Sequence, residues 1–459
     1  MTGTIQGAAD GMPMPRRALA FATILLAASS AAMDGVSVNV ALPTLSSEFG
    51  ITASTSVWAV NVYQLAVVTS LLPIAAMGDI VGHRRIYLIG LLVFAIMAGL
   101  AALSPNFELL ILARTIQGFG AACILSINLA LVRYIMPSSR LGRAIGLTAM
   151  AVAIASSIGP SIAGVLLAFG SWRWVFGVSL ITGLISATVG LFTLPETNVQ
   201  AKPFDFVSAA LSATMFGSLL LGFSTIGHFW NVALTGALFL IGIAAGIALV
   251  IRLWDKPAPL LPLDLIRIPV FSLSVLASLC AFSAQMATYV SLPFYLQSSL
   301  GFSVLEAGLI FGAWPLALAC TAPIAGTLAD RLPAGILGFL GLGMLAMGLL
   351  ILVVYPSTST LWGMAWPLAI CGFGFALFQS PNNRTILGSA PKARSGAAAG
   401  ALATARLVGQ ALGTALATLA MSRVVGGGPT LPLVLAAVFA AIGACISVVR
   451  RGKVLVPSS

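Results

Sequence analysis

Charge is what this chain has least of: Asp, Glu, Lys and Arg together make up 7% of its 459 residues, and only 11 of them are acids. So few polar side chains cannot coat a soluble globule of this size, which excludes that class. Histidine is nearly missing, with His83 and His228 alone. No HExxH, GxSxG or phosphate-cradling glycine loop occurs, so catalysis gains little support and nothing points to ATP hydrolysis. The chain is therefore expected not to be an enzyme, to need no cofactor or metal, and to draw any uphill work from an ion gradient. Five cysteines, Cys123, Cys280, Cys320, Cys371 and Cys445, lie in apolar runs without CxxC spacing, which argues against a disulfide framework or thiol metal site.

What is present is apolar length. Hydrophobic residues form 59% of the chain and the mean hydropathy is +1.08. Windows of about 20 apolar residues give fourteen candidate spans, from 18–42 through to 430–449. The expected fold is an all-α integral membrane protein with the lipid bilayer as its solvent. The net charge of +11 would suggest nucleic acid in a soluble protein, but the 22 basic residues sort by side. With the N-terminus inside, eighteen fall in inner segments, only Arg173 and Arg423 in outer ones, and Arg114 and Arg406 inside spans. That asymmetry is an orientation signal, places both termini in the cytoplasm and argues against a nucleic-acid partner. Arg16-Arg17 followed by an apolar run and Ala28–Ala32 has some character of a signal peptide, but the run continues to Pro43 and its removal would break the even count.

The chain repeats itself. VALP at Val40–Pro43, followed by a polar stretch ending in Gly50, returns as VSLP at Val290–Pro293 ending in Gly301, and Asp79 returns as Asp330 at nearly the same offset. Spans 1–6 and 9–14 are then corresponding halves in one orientation, as in transporters built from parallel repeats. The expected division is a cytoplasmic tail 1–17, an N-terminal six-helix bundle 18–198, linkers carrying spans 7 and 8 over 199–269, a C-terminal six-helix bundle 270–449 and a tail 450–459.

Asp34 is the sole carboxylate in the interior of a long apolar run. A charged side chain at a helix centre in the membrane costs about 2.5–3.5 kcal/mol, so function is the default reading. Arg114 lies at matching depth, each roughly 10–12 Å from the outer end of its span at 1.5 Å per residue. Arginine favours a charged neighbour and a low dielectric opposes it, so the pair is a candidate for loading and releasing a proton, with a static ion pair as the alternative. The aligned position in the second half is Ala284 or Gln285, so a carried proton belongs to the first half. Arg406, about 16 Å into span 13 with no acid in neighbouring turns, must face a cavity, backbone carbonyls or an anionic ligand.

Other polar residues share helical faces. Arg114, Gln117, Gly118, Ala121 and Asn128 do so on span 4, and Trp58, Asn61 and Gln64 on span 2. With Gln285, Tyr289, Trp314, Phe378, Gln379 and Arg406 of the second half, Trp58, Asn61, Gln64 and Gln117 form a candidate substrate cavity; ordinary helix packing is the alternative for each. Asp79, Gly82, Arg84 and Arg85 stand at a cytoplasmic turn where an acid and a basic cluster can bridge helix ends in one conformation, and Asp330 and Arg331 repeat them. Gly159, Pro160 and Gly164 give span 5 close backbone approach and a bend, read either as packing or as a gating hinge.

These segments resemble the major facilitator superfamily, and the fourteen-span count its drug:proton antiporter group. MDGVSVNVALP (Met33–Pro43), WAVNVYQL (Trp58–Leu65), LARTIQGFGAA (Leu112–Ala122) and SSIGPSIAG (Ser156–Gly164) look like that group's motifs of spans 1, 2, 4 and 5, followed by WRWVF (Trp172–Phe176). Ile80 and His83 depart from it, standing where the group prefers Arg in the span 2–3 turn. The resemblance implies a major facilitator fold of two six-helix bundles plus two extra central helices. It also implies a multi-pass protein of a bacterial inner membrane, functional as a monomer, that exchanges protons for small apolar or amphipathic compounds by alternating access. Export of a lipid or glycolipid on the same fold is one alternative, and a non-transporting receptor or assembly factor another.

Overall fold

The computed structural model describes residues 11–137, 140–197, 204–228, 232–253, 263–354, 360–390, 395–421 and 430–451. Fourteen long helices account for most of them: α1 (Arg16–Phe49), α2 (Trp58–Val81), α3 (His83–Ala102), α4 (Phe107–Ile135), α5 (Leu141–Phe169), α6 (Arg173–Thr193), α7 (Phe206–His228), α8 (Val232–Leu253), α9 (Pro269–Phe294), α10 (Val304–Arg331), α11 (Ala334–Val354), α12 (Leu361–Ser389), α13 (Ser395–Met421) and α14 (Leu431–Arg451). Each answers to one predicted span. Among the described residues thirteen segments are long and apolar enough to cross a membrane, and α13 is the long helix that is not among them. It is diluted by Thr404, Arg406, Gln410, Thr414 and Thr418, and it can afford to be, because it packs against α2, α7 and α9 in the middle of the molecule.

The repeat is visible in backbone geometry. Gly50 closes α1 at φ +63°, a left-handed conformation that a side chain disfavours, and Gly301 holds the matching place after α9 at φ +74°. Two residues on, Thr52 and Ser303 each cap the next helical turn with a side-chain oxygen, Ser303 as part of a reciprocal capping box with Glu306. Glycine contacts fix the register within each half. A Cβ on Gly118 of α4 would lie 2.6 Å from the Tyr63 carbonyl oxygen of α2, and one on Gly372 of α12 would lie 2.2 Å from the Trp314 carbonyl oxygen of α10. Trp314 is thus the second-half counterpart of Tyr63.

The halves meet at their outer ends. One apolar cluster includes Leu42, Leu45, Val57 and Trp172 of the first half together with Phe294, Leu296, Phe311 and Leu433 of the second. Toward the inner end the clusters separate, one around Ile24, Tyr87 and Ile135 and another around Phe271 and Ile386. Polar contacts follow the same division: Asn61 donates to Thr418 Oγ1 at 3.2 Å, and Thr414 donates to Gln64 Oε1 at 3.3 Å. A Cβ on Gly164 of α5 would come within 2.5 Å of Gly308 Cα on α10, so no larger residue fits that outer crossing. The outer side is closed.

Helices α7 and α8 stand outside the two bundles. α7 touches both α2 and α13, one from each half, while α8 packs on α7. Arg252 of α8 binds Asp205 at 3.0 Å and ties their inner ends together. The predicted linkers fall partly on 198–203 and 254–262, outside the described residues.

Candidate functional site

Asp34 is 1% exposed and Arg114 fully buried, and the two form an ion pair through Arg114 Nη1 and Asp34 Oδ2. Two further donors hold the other carboxylate oxygen: Ser179 Oγ at 2.7 Å and Gln117 Nε2 at 3.2 Å. The guanidinium also donates from Nε to the Ala59 carbonyl at 3.0 Å and from Nη1 to Gln117 Oε1 at 2.8 Å. Its flat face lies 4.1 Å from the centre of the Tyr63 ring, a cation–π contact, and the Tyr63 hydroxyl donates to the Ala31 carbonyl at 2.9 Å. Nη2 has no hydrogen-bond partner among the described residues.

Small residues make this approach possible. Gly118 lets α4 close on α2 so that Arg114 reaches the Ala59 carbonyl. A Cβ on Gly159 would sit 2.8 Å from Ser37 Oγ and 3.0 Å from the Met33 side chain, so glycine brings α5 onto α1 beside Asp34. α5 stays helical through Pro160. Chemically the cluster is a buried carboxylate held by three donors, one of them the delocalised Arg114 cation.

Gly35 and Tyr63, next to this pair, form one wall of a central cavity whose opposite wall belongs to α13. Gln64, Ser156, Arg406 and Gln410 complete its polar lining. At about 20 Å³ the space holds a water molecule and little more, as expected where the halves have closed.

The remaining predicted residues separate. Trp58 and Asn61 border a smaller cleft against Leu220 and Ser224 of α7, to which Gln64 also contributes. Gln117 belongs to the ion-pair cluster. Gln285, Tyr289, Trp314 and Phe378 do not line the central cavity: they are buried within the second half, where Tyr289 meets Phe311 and Trp314 ring to ring at 5.8 and 5.4 Å. Their aromatic surface is better satisfied by edge contacts inside one bundle than by a cavity. Gln379 is half-buried on α12 and also lies away from the cavity lining.

At the cytoplasmic turn, Gly82 reverses the chain at φ +104° and Asp79 pairs with His83 Nε2 at 3.2 Å. His83, where the resembled group prefers Arg, is thus the acid's partner. Arg84 donates to the Leu191 carbonyl at 2.6 Å and lies 3.7 Å from Glu196, joining α3 to the end of α6. Arg85 and Arg331 are exposed, and the Asp330 side chain lies outside the described residues.

Sequence reasoning missed three participants. Ser179 and Tyr63 complete the Asp34 cluster, and Ser179 was within reach of the same depth arithmetic, at roughly 9 Å from Arg173. Arg450, assigned to the C-terminal tail, is 2% exposed inside the second bundle. It donates to Ser274 Oγ and the Ala334 carbonyl, each at 2.8 Å, and to Asn382 Oδ1. Among the described residues no group of His, Cys, Asp and Glu converges as a metal site would.

Comparison with known proteins agrees with this architecture. A family model, Major Facilitator Superfamily, matches residues 24–414. The chain is 45% identical to the uncharacterized transporter YebQ of Escherichia coli, over 96% of this chain and 97% of that one. It is 31% identical to the multidrug efflux pump LfrA of Mycolicibacterium smegmatis over 90% of this chain and 82% of LfrA, and 30% identical to the riboflavin transporter RibZ of Clostridioides difficile over 83% of each. Among solved structures, a POT family transporter in complex with 5-aminolevulinic acid superimposes with a TM-score of 0.72 at 15% identity, covering 98% of this chain and 99% of that one, a likeness of fold.

Proposed function

From the premise that the chain belongs to the Major Facilitator Superfamily, a multi-pass bacterial membrane transporter and not an enzyme, we propose that it is a proton-coupled exporter of small apolar or amphipathic compounds. The observation that carries this reading is Asp34, a carboxylate 1% exposed within the bundle and held by Arg114, Gln117 and Ser179. Ionised, Asp34 balances Arg114 and the site is neutral. Protonated, it leaves the guanidinium uncompensated, and a buried net charge favours a hydrated, open arrangement. A proton arriving from outside thus biases the halves toward a different state than a proton leaving to the cytoplasm, which is what exchange by alternating access requires. Relatives named as the multidrug efflux pump LfrA and the multidrug resistance protein Stp of Mycobacterium tuberculosis favour export of foreign compounds.

The test is transport in proteoliposomes with an imposed pH gradient. Asp34→Asn is expected to abolish gradient-driven accumulation while retaining exchange of substrate across the membrane without a gradient, which certifies a folded pathway. Unchanged gradient-driven transport in that variant would overturn the reading.

A further inference from the structure

Among the described residues three arginines lie in the interior of the bundles, and their environments differ. Arg114 has Asp34. Arg450 has three neutral acceptors on α9, α11 and α12. Arg406 is half-buried on the wall of the central cavity, and among the described residues its guanidinium has neither an ion pair nor a hydrogen bond. It stands eleven residues into α13, about 16 Å from the inner end, at a depth where an uncompensated charge is costly.

The repeat removes a packing explanation. Gly413 faces the α9 backbone at Ser283 and Ala287 where Gly159 faces the Met33 and Ser37 side chains of α1, and this pairing puts Gln410 opposite Ser156, both on the cavity wall. The counterpart of Arg406 is then Val152, so the half that lacks the charge is built with an aliphatic side chain at that place. Around Arg406 the cavity presents Gln64, Gln410 and Ser156, groups that can share a ligand's oxygen atoms. Gln64 lines the cavity and accepts from Thr414 through Oε1, so its amide N–H groups are not used in that contact. No acid lines the space, and Asp34 lies behind Tyr63 with its oxygens already occupied.

We propose that Arg406 anchors an anion subsite in the central cavity, so that the transported compound is an amphipathic organic anion whose carboxylate or sulfonate meets Arg406, with Gln64 and Gln410 beside it. Arginine suits this role because its planar fork binds such groups through two parallel hydrogen bonds. The apolar body of the ligand would lie between the halves when they part. The inference rests on the exporter reading for direction only: an interior-negative potential drives an anion outward, so each exchange of an anion for a proton moves positive charge inward twice.

The experiment is equilibrium binding to the purified full-length protein in detergent, using three dansyl compounds that share one aromatic body: dansylglycine with a carboxylate, dansylamide without charge, and N-(2-aminoethyl)dansylamide with an ammonium. Wild-type protein is expected to bind dansylglycine about tenfold more tightly than either of the others, the weight of about 1.4 kcal/mol. Arg406→Gln should bring dansylglycine down to the level of dansylamide in the same variant, and Arg406→Lys should retain part of the preference. Equal or absent binding of dansylglycine by wild type, a preference for the amine, or an undiminished preference in Arg406→Gln would each overturn the proposal. The wild-type preference stands as a test even where a variant fails to fold. Binding in detergent reads no gradient, so loss of the exporter reading would appear separately, in the pH-driven transport of Asp34→Asn.

Discussion

Asp34 and Arg114 compensate each other in a place where neither is tolerated alone. Breaking a buried pair by removing one partner costs about 3–5 kcal/mol, because the other charge stays behind without water. Asp34→Asn is therefore expected to lower stability by that order, and Asp34→Asn with Arg114→Gln to recover most of it while remaining unable to use a proton gradient. Thermal unfolding midpoints of the three proteins in one detergent check this; equal midpoints for wild type and the single variant would show that the pair contributes no such stabilisation. The pairing was legible in the chain because a buried acid and a buried arginine are energetic anomalies, and helical rise puts them at one depth. Ser179 was not singled out, since a lone serine in a membrane helix carries no comparable penalty and its contact with Asp34 depends on how α6 is rotated.

Among the elements, α4 and α12 show what the repeat preserves and what it discards. Both close on a partner helix through a glycine, Gly118 and Gly372, so the backbone frame is shared. The side chains differ: four residues before each glycine stand Arg114 and Leu368, and the Tyr63 face that carries a guanidinium has its counterpart in Trp314, packed against Tyr289 and Phe375. One frame thus serves a polar site in the first half and an aromatic core in the second. The second half keeps its own polar junction at the inner end, where Arg450 joins α14 to α9, α11 and α12. Arg450→Ala is expected to destabilise the fold by about 2 kcal/mol, the scale of hydrogen bonds to a charged donor, while leaving the charge preference of dansyl binding unchanged. Thermal unfolding and the binding series would separate those effects. Charge counting assigned this arginine to the tail because it ends an apolar run, and a run's last residue is buried or free according to the neighbours it meets.

For the whole molecule, closure at the outer end is the decisive feature. Under the proposed exchange, rocking of one half against the other would have to open the crossing of α5 and α10. A Cβ on Gly312 would lie 3.6 Å from Ser161 Oγ, which suits a cross-link between these helices. In a cysteine-free background, Ser161→Cys with Gly312→Cys is expected to form a disulfide on mild oxidation, to stop transport, and to regain it on reduction. Undiminished transport by the oxidised protein, with the cross-link verified by mass spectrometry, would show that this crossing need not open. α7 adds a constraint of its own, since it touches α2 and α13 at once and under that exchange would have to slide on at least one of them.

The sequence by itself determined the membrane, the orientation, the fourteen helices, the duplicated halves and the pairing of Asp34 with Arg114. These follow from local rules: apolar length, the side on which arginines accumulate, recurrence at one offset and helical rise. Only the tertiary structure decided which polar residues face one another across the halves, that Tyr289 and Trp314 are core while Gln64, Ser156, Arg406 and Gln410 share a cavity, and that the outer end is closed. The physical reason is rotation. A helix turns its side chains through 100° per residue, and in lipid, where apolar surface on every face is acceptable, hydrophobicity alone does not say which face meets a partner.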